Sequence, residues 1–288
     1  MADLSVTGIP TFEQTSTVKN LTMSDGSSIR IRLHSRNGKV DRAEDSSTLV
    51  FVGGWCTDLS AWDQLLQAAC QHFNVFVFES REKNSSVLSG TGPHNLHRVA
   101  LDLKEAIAAF RINQDACIVL ASSWGTILTA HAIAEGLFSP MLSVFLGPIG
   151  RLTFPPLART LLPRLPSTLL KLLRPVAYRW IRHVNREDPV QANRAIQVLA
   201  SADFNKWKTI GRHVVAGTYY SCFSAIHRAC LIIYSRHDRF HDLAETERII
   251  ELIPNCSTIH LARTDDLMSE LVIEIILSQI AVSQPRLS

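Results

Sequence analysis

The sequence predicts an α/β fold in which a mostly parallel sheet is covered by helices on both faces. Three observations carry that prediction. Short apolar runs without polar alternation recur along the chain, helical patterns separate them, and one hairpin signal precedes them. A strand buried on both faces has no solvent side and so shows no alternation; a helix between two such strands returns the chain so that they can run parallel.

The elements follow in order. After a polar leader, Val18 to Ser35 reads as a hairpin, with Asp25-Gly26 as its turn and alternation through Ile29, Ile31 and Leu33. A polar loop comes next. Then TLVFV at 48–52, a helix from about Leu59 to His72, VFVF at 75–78, a helix from about Leu96 to Phe110, CIVLA at 117–121, a helix from Gly125 to about Glu135, and LSVFLG at 142–147. The pattern resumes with LIIYS at 231–235, a helix from Leu243 to Leu252, STIHLA at 257–262 and a last helix to about Ile280. Residues 148–228 carry no strand pattern and are rich in Leu, Pro and Arg, which predicts a helical lid inserted into a core of residues 1–147 and 229–288, one domain in all.

Composition bounds the function. The 288 residues are 46% hydrophobic and 19% charged, and the mean hydropathy is +0.10, which excludes a disordered chain. A net charge of +3 is too small to point to nucleic acid. No apolar run reaches the ~18 residues of a spanning helix, and the start, MADLSVTGIP, has no basic region followed by an apolar stretch, so the expectation is a soluble, cytoplasmic protein. The six cysteines form no CxxC pair and read as reduced, mostly buried thiols. Nothing matches a dinucleotide loop, a Walker lysine motif or a zinc HExxH, so neither cofactor nor metal is expected.

The chemistry concentrates at Ala121-Ser122-Ser123-Trp124-Gly125-Thr126, where an apolar strand runs into Ser123 and a helix begins at once. A serine on so sharp a turn presents its hydroxyl above the sheet, and the helix N-terminus supplies amides for a developing oxyanion. Upstream, Val52-Gly53-Gly54-Trp55-Cys56 ends a strand in two glycines, so that the amides of Trp55 and Trp124 are the candidate oxyanion pair.

These motifs resemble the α/β-hydrolase superfamily over roughly residues 20–285. The resemblance takes in the GGW loop, Glu79-Ser80-Arg81, the ASSWGT turn, the inserted lid and Ser235-Arg236-His237-Asp238, and it implies Ser123 as nucleophile and Asp238 as orienting acid. The loop Val52 to Cys56, with Asp58 following, also resembles that of the cofactor-independent quinolone ring-cleaving dioxygenases, which share this fold. The family's histidine after the last strand is missing: Asp265 aligns with it. A carboxylate of pKa ~4 is a poor base toward a serine hydroxyl. The bases left are His260, which lies mid-strand, and His237 or His241 on the Asp238 loop, although neighbours in sequence seldom point the same way. Alternatively Asp265 and Asp238 share a site and shuttle protons, or Asp265 only caps the last helix.

Three functions are therefore open: hydrolysis of a lipophilic ester or thioester, a non-hydrolytic lyase, isomerase or cofactor-free oxygenase, and an inactive member that binds lipid. From Arg151 to Arg186 there are eight Lys and Arg and no Asp or Glu, interleaved with leucines and Trp180. Such a lid suits a lipophilic acyl group held by arginines, with Arg151, Arg174, Arg179 and Trp180 as candidates, or an anionic membrane surface. Oligomeric state is not legible.

Overall fold

A computed structural model describes residues 10–36, 47–90, 92–152, 164–186, 189–215, 217–238 and 241–283. Its eight strands are β1 (Thr17–Thr22), β2 (Ser28–His34), β3 (Thr48–Val52), β4 (Asn74–Glu79), β5 (Cys117–Ser122), β6 (Leu142–Leu146), β7 (Ala229–Ser235) and β8 (Cys256–Leu261), joined in the order β1-β2-β4-β3-β5-β6-β7-β8. β1, β2 and β4 pair antiparallel, and from β4 onward every pairing is parallel.

Burial explains the strand sequences. β3, β5 and β6 are buried at every residue, so each is apolar on both faces. On β2 burial alternates, with Ile29, Ile31 and Leu33 inside and Arg30 and Arg32 on the other face. β8 is an edge strand with Ser257, Thr258 and His260 exposed. Consecutive residues feed opposite cores: Val50, Val52, Val119, Ala121 and Phe145 on one face, Leu49, Phe51, Ile118, Leu120 and Val144 on the other. Burying each such side chain fully contributes roughly 1.5–3 kcal/mol.

Helices α1 (Asp63–His72), α2 (Leu96–Ala109) and α3 (Trp124–Ala134) follow β3, β4 and β5 in turn. α1 packs on the second face and α2 and α3 on the first. Between β6 and β7 lie α4 (Ser167–Val184), α5 (Pro189–Ser201) and α6 (Phe204–Val214), and after β7 come α7 (Leu243–Leu252) and α8 (Leu271–Ser283). α6 anchors this insertion, burying Ile210 and Val214 in the first core. The cysteines are free thiols; Cys56, Cys70, Cys117 and Cys230 are buried.

One buried ion network holds the turn after β4. Arg81 is wholly enclosed and pairs through two nitrogens with Asp102, with Asp25 at 2.7 Å and His94 Nδ1 at 2.9 Å. Burial raises the Asp102 carboxyl; at Asp25 burial acts the same way, but the Arg81 hydrogen bond and charge outweigh it and hold that carboxyl well below the usual range. No helix among the described residues is long and apolar enough to cross a membrane.

Candidate active site

Ser123 joins β5 to α3 with φ 51° and ψ −118°, a conformation that costs a non-glycine residue on the order of 1–3 kcal/mol. Its surroundings over-determine that conformation. The Ser123 N–H donates to the Leu146 carbonyl at 3.2 Å, and the Ser123 carbonyl accepts from the Thr126 N–H at 2.9 Å and its hydroxyl at 2.6 Å. Gly125 is forced by close approach: a Cβ there would lie 2.1 Å from the Val52 carbonyl oxygen. The loop after β3 is thereby laid on the turn, and a Cβ at Gly54 would stand 3.3 Å from that of Ser123. Ala121, two residues before Ser123, is fully buried in the first core.

Trp55 lies in this loop and Trp124 is the first residue of α3, whose opening amides have no partner within the helix. Their rings meet edge to face at 5.4 Å, and Trp55 also meets Trp207 of α6 at 6.2 Å. The loop is clamped from below. Lys83, buried, donates to the Gly54 carbonyl at 2.5 Å, and because the peptide is trans, the Trp55 N–H points to the opposite side of the same plane. α6 braces the clamp: Lys206 donates to the carbonyls of Lys83 and Asn84 at 3.0 Å and to that of Ser86, and the Trp207 indole N–H donates to Cys56 Sγ. Burial pushes the Cys56 thiol far up, so it is a neutral packing group.

The histidines separate clearly. His260 sits on exposed β8, lies at a tilt against Tyr234 with ring centres 5.6 Å apart and accepts a hydrogen bond from the Arg236 N–H at 3.4 Å. His237 is exposed and its N–H donates to Ser235 Oγ at 3.3 Å. His241 is different. Its Nδ1 is 2.7 Å from Asp238 Oδ2 and its N–H donates to Asp238 Oδ1 at 3.3 Å, so the acid holds both ring and backbone of the residue three positions on. Only 6% of the Asp238 side chain and 18% of the His241 side chain is exposed, which makes the pair strong by comparison with a surface contact. The expectation that neighbours on this loop point apart is corrected here: the two-point grip on one carboxylate turns the imidazole back to the acid.

Gly147 fixes where that imidazole sits. It follows β6 with φ +52°, and a Cβ on it would lie 2.6 Å from His241 Nδ1. The preceding residue, Leu146, is the one that anchors the Ser123 amide. Imidazole and serine therefore converge on one strand end. With Nδ1 engaged by Asp238, Nε2 is the nitrogen left for a second partner.

Asp265 opens a short 3₁₀ turn after β8, is 45% exposed and has Arg263 at 3.8 Å; it does not cap α8, which starts at Leu271. Asp238 thus faces an imidazole. Of the candidates in the insertion, Arg151 is half exposed and pairs with Glu245 at 3.2 Å, and Arg174 donates to the Ala202 carbonyl at 2.7 Å and lies over the Phe204 ring. Arg179 and Trp180 stand on the outer surface of α4. A cavity of about 270 Å³ lies behind the β3 loop, lined by Phe51, Gly53, Cys56, Thr57, Lys83 and Ser201; Ser123, Asp238 and His241 do not line it. No group of three or more metal-ligating side chains occurs among the described residues. Gly147, Lys83, Lys206 and Trp207 escaped the sequence reading, although a lysine so close to a buried Glu79-Ser80-Arg81 turn was a usable signal.

A family profile described as the alpha/beta hydrolase family matches residues 49–270. Among solved structures, a hydrolase from Pseudomonas aeruginosa PA01 superposes with a TM-score of 0.72 at 19% identity, covering 92% of this chain and 98% of that one. An enol-lactonase from Burkholderia xenovorans LB400 gives 0.70 at 16%, with the same coverage, and an esterase from Rhodococcus sp. ECU1013 gives 0.69 at 14%, covering 93% and 98%. No curated protein matches the sequence.

Proposed function

The chain belongs to the alpha/beta hydrolase family, and from that premise we propose that it is a serine hydrolase cleaving a lipophilic ester or thioester through Ser123, His241 and Asp238. The observation that carries the reading is the partly buried 2.7 Å pair of His241 Nδ1 and Asp238, packed on Gly147 beside the residue that anchors Ser123. In this mechanism Ser123 Oγ attacks the carbonyl carbon while His241 Nε2 takes its proton, and Asp238 holds the ring and stabilises the imidazolium. The negative charge that develops on the carbonyl oxygen is met by the N–H groups of Trp55 and Trp124. His241 then protonates the leaving group, and water, activated by the same nitrogen, releases the acid. The chain order serine, acid, histidine agrees with the order in this fold, and the aromatic wall of Trp55 and Trp207 favours an apolar acyl chain.

Hydrolysis of p-nitrophenyl esters of increasing chain length tests this reading. It predicts activity in the native protein, its loss in Ser123→Ala and His241→Ala, and its retention in His260→Ala and Asp265→Asn. Activity that survives Ser123→Ala and disappears in Asp265→Asn would overturn it in favour of proton transfer by carboxylates.

A further inference from the structure

The amphipathic face of α4 has no partner in the fold. Six of its apolar side chains are exposed: Leu169 by 38%, Leu172 by 75%, Leu173 by 42%, Val176 by 63%, Trp180 by 59% and Val184 by 52%. Only three other large apolar residues are exposed among the described residues, Val18, Val87 and Val282, and these are scattered. The six follow the spacing i, i+3, i+4, i+7, i+11 and i+15, which on a helix of 3.6 residues per turn is one continuous stripe about 22 Å long. The opposite side explains why the stripe is left outside. Leu170 is buried against Ala202 and Phe204, and Arg174 is tied to the Ala202 carbonyl, so the helix is already docked through its inner face.

Charge selects the occupant. Lys171, Arg179, Arg182 and Arg186 lie on the helix or just past its end, and helical spacing puts Arg179 and Arg186 along one margin of the stripe. No carboxylate pairs with any of the four among the described residues, and from Arg151 to Arg186 the sequence contains no acid. The apolar stripe with a basic, acid-free margin is complementary to a surface that is apolar beneath and anionic on top. An anionic lipid surface takes both at once: the apolar stripe enters the acyl boundary, Trp180 sits at headgroup depth, and the long basic side chains reach the phosphates.

We propose that α4 is a membrane-docking helix that binds anionic phospholipid surfaces in the plane of the bilayer. This surface is separate from Ser123 and does not depend on the hydrolase reading. The test is co-sedimentation of the full chain with vesicles of phosphatidylcholine alone and of phosphatidylcholine mixed with phosphatidylserine. Binding to the mixed vesicles is expected, at least tenfold above the neutral ones, falling at least tenfold in Leu172→Ser/Val176→Ser and in Arg182→Glu/Arg186→Glu. These four side chains are exposed, so the variants retain the fold, which circular dichroism checks. Ester hydrolysis in solution by the same variants is expected to be unchanged. Absent binding, equal binding to both vesicles, or a dimer dissolved by Leu172→Ser/Val176→Ser without vesicle binding would overturn the proposal.

Discussion

Replacing Gly147 with alanine isolates the position of the His241 imidazole from every change in its chemistry. The added methyl carbon would lie 2.6 Å from His241 Nδ1, 2.9 Å from Cγ and 3.0 Å from Cε1, where unstrained carbon contacts need about 3.5–4.0 Å. The ring has to retreat by about 1 Å, and a displacement of that size costs roughly 100-fold in rate when it misaligns a reacting group. Alanine at φ +52° also adds left-handed strain of about 1–2 kcal/mol, a matter of stability alone. Gly136→Ala is the control: its φ is +65° and a Cβ there meets nothing within 4 Å, so it carries the same strain without the contact. Both variants should lose a few degrees of Tm, and only Gly147→Ala should lose kcat, by about two orders of magnitude, with KM nearly constant. Steady-state kinetics on a soluble ester beside thermal denaturation separates the two effects. Equal kcat in the two folded variants would refute the placement of His241.

Two further outcomes follow from buried cations. Lys83→Met removes the group that holds the Gly54 carbonyl and frees the Trp55 peptide to rotate; the loss of one oriented oxyanion donor predicts a fall in kcat of about 10²–10³-fold with little change in KM, and a change confined to KM would contradict this. Arg81→Met leaves Asp25 without its cation and the enclosed Asp102 with Arg98 alone, at 3.0 Å, which predicts a loss toward the lower end of about 3–5 kcal/mol in urea unfolding; a loss under about 1 kcal/mol would show that the network is not structural.

Much of the architecture was readable because its physics is local. A strand buried on both faces must be apolar throughout, so TLVFV, CIVLA and LSVFL declared themselves, and the alternation at Ile29, Ile31 and Leu33 marked a strand with one polar face. Ser123 and its glycine neighbour were readable for a similar reason, since only a glycine tolerates a carbonyl where the Gly125 Cβ would be. The role of His241 was not. It depends on two residues bonded to one carboxylate across a turn and on a glycine 94 positions earlier that leaves space for the ring, and neither has a periodic signature. Lys83 and Lys206 were hidden because their partners are backbone carbonyls, which every residue has. The exposed stripe of α4 lies between these cases: its composition was visible as leucines and arginines, but which face was covered depended on Leu170 and Arg174 docking inward.

The central claim, that His241 activates Ser123, is tested most directly by the rate at which a fluorophosphonate labels the folded protein, with the modified residue located by mass spectrometry. The account predicts a single adduct on Ser123, none in Ser123→Ala, and labelling slowed at least 100-fold in His241→Ala, within the ~10²–10⁴-fold contribution of a positioned general base. Labelling of His241→Ala at the native rate, or no adduct on Ser123 in the native protein, would contradict it.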